Sequence, residues 1–167
     1  MEANAILETF AQVAATLVGF TGVVFAIGSF SQGGLSPAER HGLLHLLVPA
    51  AIVLFLSLLP MVVSNGTEPG PLFWRVFNGL LGGVHLLTLA DATRSVLSQQ
   101  VPKPIPLHIG MVVIGYTTVA ANFIVVLGFI SELAVLVYLI SLLWFLVVSV
   151  TQFMLLILSH VHDNQAR

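Results

Sequence analysis

From Leu107 to Ser159 the chain is almost continuously apolar, and one helix of about 50 residues would be roughly 80 Å long at about 1.5 Å per residue. A bilayer core is only about 30 Å thick and takes about 20 apolar residues per crossing. The run must therefore turn back at a membrane edge. Its only punctuation is Gly128-Phe129-Ile130-Ser131-Glu132, where Gly128 can close one helix in a left-handed conformation and Ser131 can open the next as an N-cap. A tight hairpin between a fourth and a fifth spanning helix is predicted there.

The rest of the chain divides in the same way, giving helices at about 6–30, 37–64, 72–97, 107–130 and 132–160. Ser36-Pro37-Ala38-Glu39 is a capping box with proline at the first helical position, so the second helix starts in water and enters the membrane near His41. Residues 65–71 form a short turn and residues 98–106 a stiff, proline-rich loop; neither could hold an extramembrane domain. The expected fold is all-α: a polytopic membrane helical bundle of five helices, with residues 1–167 forming one transmembrane domain.

Composition closes the other routes. Of 167 residues, 57% are apolar and 7% charged, against roughly a quarter charged in a soluble domain. Mean hydropathy is +1.05, which excludes disorder as well. The absence of cysteine removes disulfides, thiolate metal sites and thiol nucleophiles. Lys103, the one lysine, lies in the proline-rich loop and leaves no group for a Schiff base inside the bilayer. Five basic residues and a net charge of -2 cannot form a nucleic-acid footprint. Membrane lipids are the expected surroundings, and the sequence assigns no cofactor and no enzymatic role.

Basic residues set the expected orientation. Arg40, Arg94, Lys103 and Arg167 fall on one side and only Arg75 on the other, so the N-terminus is placed outside and the C-terminus in the cytoplasm. Glu2 and Glu8, without a basic residue, lack the positive region of a cleavable signal peptide, and the first helix is expected to stay. Arg75, beside Phe73 and Trp74, is expected to snorkel to the interface within an aromatic belt.

Polar groups inside a membrane normally face protein or water. At about 100° per residue, Glu8, Gln12, Ala15, Gly19, Gly22 and Ala26 share one face of the first helix, opposite Phe10, Val13, Leu17 and Val24. Asn78, Gly82, His85 and Ala92 align on the third helix, Gly115, Thr118 and Asn122 on the fourth, and Ser141, Gln152 and Ser159 on the fifth. Each stripe reads either as a close helix contact with interhelical hydrogen bonds or as the lining of a solvated path. Glu2, Glu8, Glu68 and Glu132 also make the outer side acidic, which would favour cations at a pore mouth.

Six histidines are unevenly placed. His41, His45, His108, His160 and His162 fall at or near the expected cytoplasmic boundary, and the i, i+4 pair His41 and His45 could contribute to a zinc- or copper-like site. His45 and His85 could share a depth, as a bis-histidine haem requires. The simpler reading is of interfacial or hydrogen-bonded imidazoles, since no His-Glu-x-x-His motif is present.

The stretch from Leu7 to Val24, Leu-Glu-Thr-Phe-Ala-Gln-Val-Ala-Ala-Thr-Leu-Val-Gly-Phe-Thr-Gly-Val-Val, followed by Leu-Ser-Pro-Ala-Glu-Arg at 35–40, resembles the opening of a group of small uncharacterised bacterial multi-pass membrane proteins. The likeness covers about the first quarter of the chain and implies a bacterial inner-membrane location. It implies no chemistry. Three functions are compatible with the residues. The favoured one is a homo-oligomeric, cation-favouring channel or pore-like transport protein. The second is a non-catalytic accessory, scaffold or sensor subunit docked on another membrane protein, and the third, less favoured, is a histidine-based metal or haem protein.

Overall fold

Two prolines mark helix starts because a missing N–H costs nothing where the helix has no acceptor for it. In the computed structural model α2 begins at Pro37 and runs to Ser64, and α3 begins at Pro71 and runs to Leu97. They are preceded by α1, Ala3–Ser31, and followed by α4, Ile105–Leu127, and α5, Ala134–Gln165. The structure describes residues 3–31, 37–64, 69–97 and 105–165, with side chains described over 3–26, 42–64, 69–94, 97 and 106–155. Among the described residues, all regular structure is helical, and five stretches of 22 to 25 residues are long and apolar enough to cross a membrane. The capping-box side chains Ser36 and Glu39 lie outside the described ones.

Pro49 and Pro60 lie inside α2, which continues through both. Hydroxyl groups in the spans bond back to carbonyls of their own helix: Thr9 to Ala5, Thr16 to Gln12, Thr117 to Val113 and Thr151 to Val147, all at 2.8–3.1 Å. A lipid-facing threonine is thus satisfied within its own turn and does not call for a partner.

The break between α4 and α5 falls where the glycine predicted it, with two corrections. Gly128 has φ +91°, its N–H donates to the Val125 carbonyl at 2.9 Å, and the Phe129 N–H donates to the Ile124 carbonyl at 3.3 Å. These two bonds form a Schellman motif and use two of the four carbonyls that a helix end leaves over. The helix therefore stops at Leu127, earlier than the expected 130. Ser131 is not an N-cap: its hydroxyl donates back to the Gly128 carbonyl at 3.2 Å, and Ser131–Leu133 form a 3₁₀ turn leading into α5. The turn intervenes because Gly128 already redirects the chain, and the serine answers a carbonyl of the old helix.

The chain forms two compact units, Met1–Met61 with Leu142–Arg167, and Val62–Ser141. In the first, Leu7, Ala11 and Ala14 of α1, Leu46 and Val53 of α2, and Leu142 and Phe145 of α5 are buried. Phe20 and Phe153 meet edge to face at 5.3 Å. In the second, α3 and α4 run antiparallel in close contact, from Arg75 beside Val126 to Thr93 beside Tyr116. Glycine permits this approach: a methyl group at Gly115 would stand 2.6 Å from Leu89 Cδ2, and one at Gly82 would stand 3.1 Å from Asn122 Cβ. Backbones close together through small residues are the main source of helix association in lipid.

Candidate functional site

The stripe on α1 and the stripes on α3 and α4 have different fates. In the second unit the asparagines are fully buried and bonded. Asn78 Nδ2 donates to the Trp74 carbonyl at 2.7 Å and to the Ala134 carbonyl at the start of α5 at 2.9 Å. Asn122 Nδ2 donates to the Thr118 carbonyl at 2.7 Å and to Ser141 Oγ at 2.6 Å. Each amide therefore ties its own helix to α5. His85 is buried, with Nδ1 3.4 Å from Thr118 Oγ1. Thr118 Oγ1 also donates to the Gly115 carbonyl at 2.7 Å.

Arg75, expected to snorkel to the membrane interface, is held by a carbonyl of the neighbouring helix. Its Nε and Nη2 both donate to the Val126 carbonyl, at 3.0 and 2.6 Å. A third terminal carbonyl of α4 is thereby occupied, by a cation placed at the negative end of the helix. The neighbouring Trp74 is core and Phe73 half-buried: Trp74 is 6% exposed, with ring centres 5.4 Å from Phe73 and 5.7 Å from Tyr138. The Trp74 ring thus packs inside the chain. The Arg75 bond had no local signal, since its acceptor is a backbone group 51 residues away.

In the first unit the α1 face is open. Glu8, Gln12, Ala15, Gly19, Gly22 and Ala26 are all exposed, while the buried side of the helix carries Leu7, Ala11, Ala14 and Thr21. Gln12 Nε2 lies 3.4 Å from Glu8 Oε1, so the two polar groups touch each other along the stripe. A methyl group at Gly19 or Gly22 would meet no described atom within 4 Å. The contrast with Gly82 and Gly115 is direct: those glycines pack closely against side chains of the facing helix, and these do not among the described residues. Gln152, on α5, is half-buried.

Among the histidines, His45 is half-buried and His108 buried, and they belong to different units. The side chains of His41, His160 and His162 lie outside the described ones. Among the described residues, no three histidine, aspartate or glutamate side chains are grouped as a metal ion would need.

Comparison with protein-family models, with curated proteins and with solved structures finds no match for this chain.

Proposed function

We propose that this protein is a subunit of a homo-oligomeric, cation-favouring channel or pore-like transport protein, with the Glu8-to-Gly22 face of α1 turned toward the axis. The observation that carries the reading is the open α1 stripe. A carboxylate, an amide and two glycines line one face of a membrane-spanning helix, and among the described residues none packs against the two glycines or covers the face. Polar side chains within a spanning segment are costly to expose to lipid, so such faces are turned to protein or water. Copies arranged around this face would supply both. The second unit's polar residues are engaged with neighbouring helices, which favours α1 as the lining element.

The proposal includes the N-terminus outside, the C-terminus in the cytoplasm, a tight α4–α5 hairpin and a bacterial inner-membrane location. The basic-residue bias supports the orientation. The Schellman turn at Gly128 and the Asn122–Ser141 bond support the hairpin. A second reading rests on the same glycines, which would equally accept a helix of another membrane protein, making this chain a non-catalytic accessory or scaffold subunit.

Ion flux into liposomes containing the purified protein tests the first reading. Cation-selective flux that loses its preference in Glu8→Gln, and is blocked in Gly19→Leu, is the expected result. A wild-type protein that passes no ions at any voltage or pH would defeat it and leave the accessory role.

A further inference from the structure

The two buried asparagines of the second unit repeat one arrangement and leave the same atom over. Each Nδ2 gives one hydrogen to the carbonyl a turn back on its own helix and the other to α5, so both donors are spent. That fixes the amide orientation, since a flipped group would set its oxygen against the carbonyl of Trp74 or Thr118. The oxygens are then left over. Asn78 Oδ1 and Asn122 Oδ1 are buried and accept no hydrogen bond from any described group. Neither Thr118 nor Ser141 can turn to help, because their protons are committed to the carbonyls of Gly115 and Val137.

The two asparagines lie about one turn apart along the α3–α4 contact. Asn122 packs against Gly82, where a methyl group would stand 3.1 Å from its Cβ, and Asn78 is one turn before Gly82, about 6 Å along the axis of α3. Buried carbonyl oxygens in native proteins are nearly always paired, commonly by an ordered water that makes two to four bonds. We propose that Asn78 Oδ1 and Asn122 Oδ1 form a buried site for a neutral hydrogen-bond donor, a water molecule, at the seam of α3, α4 and the first turns of α5. Water offers two hydrogens to two acceptors.

A metal ion suits the position less well. The two oxygens are uncharged, divalent cations of the oxygen-seeking kind take six or more such ligands, and the Arg75 guanidinium sits on the preceding turn of α3. The site is independent of the α1 reading, since it lies wholly within Val62–Ser141.

Radiolytic hydroxyl labelling of the full chain in lipid nanodiscs, run in oxygen-18 water, tests this directly. Phe77 adjoins Asn78 and the Tyr138 ring, and Phe145 serves as a control of the same type and similar burial. Labelling of Phe77 and Tyr138 is expected several-fold above background, with Phe145 at background. The signal should vanish in the Asn78→Leu, Asn122→Leu double variant while helical circular dichroism is retained. Equal labelling of Phe77 and Phe145 in the wild-type protein would show the oxygens to be dry and overturn the proposal, whether or not the variant folds. Labelling or thermal midpoint that changes when sodium and potassium are replaced by N-methylglucamine would show a cation site and overturn it as well.

Discussion

Gly128→Ala tests whether the α4 terminus is built as described. Alanine at φ +91° must take a conformation that costs an L-residue about 1–2 kcal/mol. Its methyl group would also stand 3.1 Å from Arg75 Nη2 and 3.3 Å from Cζ, so the guanidinium must give way. That side chain is held by two bonds to the Val126 carbonyl, and a hydrogen bond from a charged donor is worth about 1.5–3 kcal/mol. Because Arg75 is only half-buried and can shift without leaving, part of that value is lost, and the expected total is about 2–3 kcal/mol. Unfolding by titration with dodecyl sulfate in mixed micelles, followed by tryptophan fluorescence and circular dichroism, reads the change. Gly128→Asn should lose less, since asparagine visits the left-handed region more readily. Arg75→Ala combined with Gly128→Ala should cost less than the sum of the two, because both damage one cap. A Gly128→Ala protein within about 0.5 kcal/mol of wild type, the spread of an ordinary surface change, would refute this account of the turn.

Gly115→Ala should destabilise by about 1–3 kcal/mol in the same titration, because its methyl group would press on Leu89 at 2.6 Å, whereas Gly19→Ala should be neutral or slightly stabilising. Equal effects would mean that the two glycine environments are not distinct. Asn122→Leu should cost about 0.6–2 kcal/mol, the range for interhelical hydrogen bonds in membranes, through loss of the Ser141 contact. Asn122→Leu paired with Ser141→Ala should show coupling in a double-mutant cycle, and additivity would remove the bond from the account. Glu8→Gln should leave the unfolding midpoint unchanged while lowering cation preference in flux measurements.

What the sequence disclosed follows from which interactions are local. The five helices were legible because crossing length is a property of a continuous segment, and Pro37 and Gly128 were legible because backbone conformation is set at the residue itself. Ser131 misled, since a serine beside a helix start has two uses and the choice depended on which carbonyl remained open. The contacts of Arg75 and Trp74 were not legible for a longer-range reason: their partners, Val126 and Tyr138, are distant in the chain. The polar stripes were legible as angles and not as environments. A helical wheel aligns Glu8 with Gln12 and Asn78 with His85 alike, yet one face is open and the other closed. The difference arises from α4 and α5 packing against α3, which no single-helix pattern contains.

Native mass spectrometry of the protein released from nanodiscs tests the central claim, that the open α1 face is covered by further copies of the chain. One homo-oligomer large enough to surround an axis, and reduced to smaller species by Gly19→Leu, is the predicted spectrum. A wild-type protein that is monomeric at every concentration would contradict it.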